Sequence, residues 1–350
     1  MGRRGRRDDA GPDGVLVVDK GRGPTSHDVV ARVRRLAGTR RVGHAGTLDP
    51  LATGVLVLGL GRATRLLQHL SGHDKAYRAT VRLGVTTSSD DAGGDVLAVR
   101  DGGHLGEAAV REALAALQGR SRQVPPAVSA VHVDGRRAHE RVRAGEVVEL
   151  EARDVVVHAL EVLDLRREEV GGVAVVDVDV DVTVGAGTYV RALARDAGAV
   201  LGVGGSLVAL RRTRSGPFDL AEAVDPDAVD DVSAHLLGLE DVARRCFAVV
   251  EVDDVVARRL RQGQRVPHDG PLLPAAGQSS PDGAEAGAGA VADAPAGAGA
   301  PGAEPPPDEP SPHEPVAVLA AEGLVGLVDL RDGVLRPRTV LGPPAGATGT

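Results

Sequence analysis

Aromatic residues are almost absent from this 350-residue chain, which has two Phe, two Tyr and no Trp. Val, Leu and Ala must therefore fill the core, and each aromatic invites a reason of its own; Tyr77 and Tyr189 are singled out. A single cysteine, Cys246, excludes an intrachain disulfide and a multi-cysteine metal site, and suits a reducing cytoplasm. The histidines show neither HExxH nor a Cys–His cluster, so no metal site is expected. Long apolar runs are lacking too. After the basic start MGRRGRRDDAGPDG, the stretch Val15 to Val18 is too short for the core of a signal peptide and far too short to span a bilayer. A cytoplasmic protein with no membrane association is the expectation.

An overall basic excess is also missing: the formal charge is -8, which taken alone speaks against a nucleic-acid partner. Its distribution reverses that inference. From Asp269 to Pro315 there are eight acidic residues and no Lys or Arg, so this stretch carries the whole negative excess. Residues 1 to 75 hold fourteen Lys and Arg against seven Asp. A basic N-terminal region on a balanced body is compatible with RNA, and equally with a solvated surface.

What is present divides the chain into parts. Its length and its 42% hydrophobic content suffice for one sizeable core and a second small one. Residues 1–13, with Arg3, Arg4, Arg6 and Arg7, are expected to form a disordered basic arm. Val15 to Asp19 predicts a strand. Ser26 is placed to cap a helix with Val29, Val30, Val33, Leu36 and Ala37 on one face and Gly38 as its stop. Val55 to Leu60 predicts a buried strand, Ala63 to Leu70 a helix, Tyr77 to Leu83 a strand, and Glu107 to Gln118 an amphipathic helix ended by Gly119. From Val176 to Val184, valine alternates with Asp177, Asp179, Asp181 and Thr183, the pattern of a strand with one buried and one wet face. Helical spacing from Val190 to Val200 then puts Tyr189 and Arg191 at a strand-to-helix junction.

The irregular succession of strands and helices favours an α+β fold with a mixed or antiparallel sheet. Residues 268–315 are almost entirely Ala, Gly, Pro, Ser and acid, and predict a flexible insert. Ordered patterns flank it at Phe247 to Leu260 and Val316 to Val340. We therefore expect a main domain over 14–245 and a small β-rich domain over 246–342 that the insert interrupts.

Chemistry is concentrated in GHAGTLDPLATG, residues 43–54, where Asp49 hangs in a turn of small residues ahead of an apolar run. A lone aspartate acts as nucleophile or general base only when ionised and shielded from bulk water. Arg191 is a candidate partner, since a guanidinium favours the charged carboxylate and can hold it by two parallel hydrogen bonds. The plainer alternative is an Asp-Pro turn. A rival appears in VLVLGLGRATRLL, where Gly59-x-Gly61-x-x-Thr64 approximates a dinucleotide fingerprint of a nucleotide-binding enzyme. The third Gly or Ala is missing, no acid ends a strand about twenty residues on, and no Walker lysine is present.

Six segments, GVLVVDKGRGPTSHDVV, RVGHAGTLDPLATGVLVLGLGRATRLL, DKAYRATVRLG, QVPPAVSAVHVDGRRAHE, GTYVRALARDAG and ALRRTRSGPF, run from Gly14 to about Phe218. Their order and spacing resemble TruB-type tRNA pseudouridine synthases. The resemblance implies a central mixed or antiparallel sheet of the pseudouridine synthase type with flanking helices, followed by a small PUA-like β domain. It implies isomerisation of uridine 55 in the tRNA T-loop, breaking the glycosidic C–N bond and making a C–C bond to the same base. No cofactor is needed, because the detached base stays in the pocket and turns. Matched to the family's motifs, Asp49 is the catalytic aspartate and Arg191 its partner, and Tyr77 stacks on the flipped base. Tyr189 and Leu210 form other pocket walls, His44 helps to hold the RNA loop open, and Lys20 is the lysine of the DK motif. For His44 a structural histidine is the competing explanation, and for the tyrosines a core aromatic.

The family's RNA-gripping insertion matches about 123–150, where the chain departs from pattern. Val128 replaces an aromatic, His132 a lysine and His139 a tyrosine, while Gly21 stands for the proline usual after Lys20; Arg136, Arg137, Arg141 and Arg143 are available to compensate. The implied partner is tRNA, with no obligate protein partner, and a monomer is expected because no large exposed apolar face is evident. The alternative to an enzyme is a non-catalytic tRNA-binding or folding factor using the same surface.

Overall fold

The computed structural model describes residues 11–129, 132–133, 136–137, 150–277 and 314–342. The chain divides at Gly238/Leu239 into two compact units. The boundary falls ahead of the expected residue 246 because the helix Leu239–Cys246 packs on strands of the second unit.

The first unit is a mixed α+β structure around a nine-stranded sheet. Its chain order begins β1 (Gly14–Lys20), α1 (Ser26–Leu36), β2 (Val42–His44), β3 (Thr53–Leu60), a 3₁₀ turn (Gly61–Arg65), α2 (Leu67–Leu70) and β4 (Lys75–Leu83). A separate hairpin of β5 (Val85–Thr87) and β6 (Val96–Val99) precedes α3 (Glu107–Ala115) and β7 (Gly119–Gln123). The short pair β8 (His132–Val133) and β9 (Arg136–Arg137) lies in the expected insertion, of which residues 130–131, 134–135 and 138–149, with His139, fall outside the described residues. The unit continues with β10 (Arg153–Val170), β11 (Val173–Val184), α4 (Val190–Val200), β12 (Gly205–Ser215) and β13 (Phe218–Asp219). The sheet runs β1-β3-β12-β4-β11-β10-β7, with β2 on β3 and β13 on β12. Every pairing is antiparallel except the parallel contact of β12 with β3.

Alternation along β11 builds the larger core. Val176, Val178, Val180, Val182 and Val184 are buried against Val110 and Leu114 of α3 and Leu193, Ala194 and Ala197 of α4. The opposite face of β11 carries ion pairs: Asp177 accepts two 2.7 Å bonds from Arg82, and Asp181 pairs with Arg78 at 2.9 Å. This face is less wet than alternation implies, since Asp177 is only 5% exposed. A second core lies under α1, where Val29, Val30 and Val33 meet Leu16 and Val18 of β1 and Leu56, Leu58 and Leu60 of β3. Tyr77 and Leu210 pack against both cores, and the candidate site opens where the two meet.

Two expected local features change. The cap of α1 is Thr25, not Ser26: its hydroxyl accepts from Asp28 N while the Asp28 carboxylate accepts from Thr25 N, a complete capping box. The helix expected over Ala63 to Leu70 is a 3₁₀ turn followed by one α turn. Gly61 takes φ +58° and Thr64 Oγ1 bonds the Gly61 carbonyl at 2.7 Å, which tightens the chain after β3. The Asp13 carboxylate accepts from Arg62 N at 2.7 Å in this turn. The backbone donor that a dinucleotide phosphate would seek is therefore already used, and that rival loses its site.

The second unit contains α5 (Leu239–Cys246), β14 (Val249–Glu251), α6 (Asp254–Arg261), β15 (Val266–Pro267), β16 (Val316–Ala320), β17 (Gly323–Arg331) and β18 (Val334–Val340). Its five strands order β14-β16-β17-β18-β15 around Val250, Leu260, Val318, Val325 and Leu335. The expected insert of 268–315 lies between β15 and β16, and its residues 278–313 are outside the described residues, as are residues 1–10 of the basic arm. Among the described residues no helix is long and apolar enough to cross a membrane.

Candidate active site

Asp49 lies in the loop between β2 and β3, whose backbone is anchored almost peptide by peptide. Ala45 N donates to Val57 O at 2.9 Å, and Ala52 N closes a turn on Asp49 O at 3.0 Å. Arg212, 1% exposed, donates from Nη2 to Gly46 O at 3.2 Å and from Nε to Val55 O at 2.6 Å. Gly54, at the start of β3 with φ +100°, pairs with Arg212 of β12, and a Cβ there would overlap the Arg212 backbone. Close packing thus explains Gly54, whereas Gly46 has room for a Cβ and is called for by its φ of +101°.

The sequence pairs Asp49 with Arg191, and the fold brings them together: Arg191 Nε lies 3.0 Å from Asp49 Oδ2. The expected two-bond fork is not formed. Nη1 donates to Ser89 O at 2.8 Å and lies 3.4 Å from Asp91 Oδ2, and Nη2 donates to Val128 O at 3.0 Å. One buried guanidinium therefore serves two carboxylates and two carbonyls, with only a single edge left for Asp49. Its contact at Val128 uses the backbone, so the replacement of an aromatic there does not remove it. Asp91 is the charged neighbour of Arg191 that the motifs do not reveal; Asp90-Asp91 within TTSSDDAGG, a polar turn, is its only signal. It is 6% exposed and accepts from Ser89 Oγ and Gly93 N at 2.7 and 2.9 Å.

These surroundings compete over the charge of Asp49. Although 39% of its side-chain surface faces the open pocket, burial of the carboxyl group is the largest influence and raises its pKa above the usual aspartate value of 3.8. Arg191 pulls it back down, Asp91 adds a like charge that raises it, and Lys20 lowers it. The acid limb of activity is therefore expected above pH 3.8, since protonation removes the carboxylate form. Single-turnover rates measured against pH check this, and a limb at or below the ordinary aspartate value contradicts it.

The pocket in front of Asp49 has a volume of about 540 Å³, with Tyr77, Tyr189, Leu210 and Arg212 among its walls. Tyr77 reaches it by strand alternation, sharing a face of β4 with Ala79, Val81 and Leu83. Leu210 and Arg212 reach it through a β-bulge: the β12–β4 register shifts between Leu207 and Ala209, so that Leu210 faces Ala79 and Arg212 faces Tyr77. Strict alternation from Leu207 would have presented Ala209 and Arg211 instead. Tyr189 precedes the first turn of α4, its N–H given to Gln123 Oε1 at 2.9 Å and its carbonyl accepting from Gln123 Nε2 at 3.2 Å. Burial raises its phenol pKa.

Lys20 and His44 lie outside the pocket wall. Lys20 is fully buried, and its ammonium donates to Gly21 O at 3.0 Å and Pro24 O at 2.8 Å, so it braces the turn before α1 and is not open to a ligand. Burial lowers its pKa to about 8, which Asp49 opposes. His44 on β2 meets His27 edge to face with ring centroids 5.4 Å apart. The only other lysine in the sequence, Lys75, is also buried, lines the pocket and is lowered to about 8 by burial. Among the described residues no group of three or more His, Cys, Asp or Glu is gathered as a metal site.

Known proteins share this architecture. A family model described as the TruB family pseudouridylate synthase N-terminal domain matches residues 34–190, and one described as the tRNA pseudouridylate synthase B C-terminal domain matches residues 191–252. The tRNA pseudouridine synthase B of Thermobifida fusca (strain YX) is 53% identical over 276 residues, covering 77% of this chain and 92% of that protein. That of Cutibacterium acnes (strain DSM 16379 / KPA171202) is 56% identical over 254 residues, covering 72% and 85%. Among solved structures, one in a Cbf5–Nop10–Gar1 complex shares the fold with a TM-score of 0.63 at 24% identity, over 95% of this chain and 85% of that one. With family models matching more than half of the chain and relatives above 50% identity, the chain belongs to the TruB family of pseudouridylate synthases.

Proposed function

We propose that this protein converts uridine 55 in the T-loop of tRNA into pseudouridine, with Asp49 as the reacting carboxylate and the target base flipped out of its loop. The observation that carries this reading is the Asp49–Arg191 pair set at a pocket walled by Tyr77 and Leu210. Family membership and relatives named tRNA pseudouridine synthase B support the reaction and the tRNA substrate. In the isomerisation the bond from C1′ to N1 breaks and one from C1′ to C5 forms. N1 gains a proton and C5 loses one, so atoms and electrons balance without a redox partner. Attack at C1′, addition at C6 and removal of a sugar proton all call for an ionised carboxylate beside the nucleoside, which Arg191 supports and which the single Nε contact leaves partly free to react.

A base drawn out of its loop loses stacking neighbours, and an aromatic wall restores about 1–3 kcal/mol of that loss. Tyr77→Ala is therefore expected to slow turnover by about 10- to 100-fold, the equivalent of that stacking energy. Single-turnover assays check this, and a rate near wild type would remove Tyr77 from the pocket's work. The function itself is tested by incubating the purified chain with unmodified tRNA transcript and mapping pseudouridine by carbodiimide labelling and primer extension. A stop at the T-loop uridine is expected. Tight tRNA binding with no modification would favour the non-catalytic factor.

A further inference from the structure

We propose that Ser26 is a positioning residue of this active site, its buried hydroxyl fixing the peptide that leads into Asp49. Ser26 opens α1 and is 1% exposed. Its Oγ donates to Leu48 O at 3.0 Å and accepts from Leu48 N at 2.8 Å, so one hydroxyl holds both backbone polar groups of the residue before Asp49. A single hydrogen bond would let the loop pivot about it, but two to one residue also set the orientation of its backbone.

The helix does not require this hydroxyl, because Thr25 and Asp28 already complete the cap. Nor does the loop have a substitute for it. Arg212 holds the carbonyls of Gly46 and Thr47, Gly23 N donates to Pro50 O at 2.8 Å on the far side of Asp49, and the closing bond of the turn belongs to Asp49 and Ala52, which leaves both groups of Leu48 to Ser26. Leu48 is 3% exposed, so its N–H and C=O have little access to water if the hydroxyl is lost. The loop must then shift to satisfy them, and Asp49 is the next residue along the chain. Arg191 is held by Ser89 and Val128 on other segments and does not follow that shift, so the 3.0 Å contact with Asp49 is lost or misdirected.

This inference rests on the reading of Asp49 as the catalytic carboxylate, so the test runs Ser26→Ala beside Asp49→Asn on the full chain with tRNA transcript. Ser26→Ala is expected to lower the single-turnover rate by about 10- to 100-fold, the cost of misplacing a reacting group by about 1 Å, with tRNA Kd changed less than about threefold. Ser26→Thr, which keeps the hydroxyl, is expected to recover most of the rate. Asp28→Ala, which opens the capping box but leaves the clasp on Leu48, is expected to react at the wild-type rate. Should the alanine variant lose its fold, Ser26→Cys retains the volume without a strong donor and acceptor and serves the same comparison.

An inactive Asp49→Asn together with a wild-type rate for Ser26→Ala overturns the assignment of Ser26. So does an equal loss in Asp28→Ala, which would trace the effect to a frayed helix, or a Ser26→Thr variant no faster than Ser26→Ala. Normal turnover by Asp49→Asn would instead refute the reading of Asp49 itself.

Discussion

Asp49→Asn is expected to abolish pseudouridine formation, with the single-turnover rate falling by about 10⁴-fold, the upper end of what a positioned acid–base group contributes. tRNA affinity should change little, because the amide keeps the size of the side chain and the pocket walls are untouched. The same substitution should leave the folded protein at least as stable at neutral pH. The pKa of Asp49 is raised in the folded state, so the fold binds its proton more tightly than the unfolded chain does. Its contribution to stability is full below the unfolded pKa and is lost as pH rises through the folded pKa; at pH 7 the ionised carboxylate is a liability that asparagine removes. Thermal unfolding of both proteins at pH 7 and near pH 4 measures this. A wild type clearly more stable than the variant at pH 7 would contradict the desolvated site, and turnover by the variant would contradict the catalytic role.

Arg191→Gln should be the more damaging change, because it strikes activity and stability together. The guanidinium is 6% exposed on its side chain and stands between Asp49 and Asp91. Without it Asp91 is left buried beside another carboxylate with no cation between them, and removing one partner of a buried pair costs about 3–5 kcal/mol. The carbonyls of Ser89 and Val128 also lose their donor. Asp49 loses its strongest charge-stabilising influence, so its pKa should climb further and the acid limb of any residual activity should move to higher pH. A pH–rate profile with a denaturant midpoint on the same preparation separates the two effects. An unmoved limb would show that Arg191 does not govern the charge of Asp49.

Much of the scaffold was legible because its signals are local. The valine–aspartate alternation of β11 and the helical spacing of Val190–Val200 each state their own periodicity, and both elements form where expected. The missed details depend on neighbours distant in sequence. Ser26 has the chemistry of a cap, but Thr25 with Asp28 performs that task and frees Ser26 for Leu48. The Ala63–Leu70 pattern is helical, yet Gly61 and the Asp13 carboxylate tighten its start into a 3₁₀ turn. The bulge that turns Leu210 and Arg212 toward Tyr77 has no period to betray it, since it exists only as a slip between two strands.

The sequence by itself determined which residues are candidates for the chemistry: Asp49 in its turn of small residues, Arg191 at a helix start, and two tyrosines in a chain nearly without aromatics. Residue type and motif order are properties of the chain, and need no coordinates. Only the tertiary structure decided how those residues share their bonds. Arg191 divides its donors among Asp49, Asp91 and two carbonyls, Lys20 faces backbone oxygens inside the β1–α1 turn, and burial outweighs the neighbouring cations at Asp49. Each of these depends on which donors lie within about 3 Å and how much water is excluded, and both are set only when β1, β3, β4, β12 and α4 come together around the pocket.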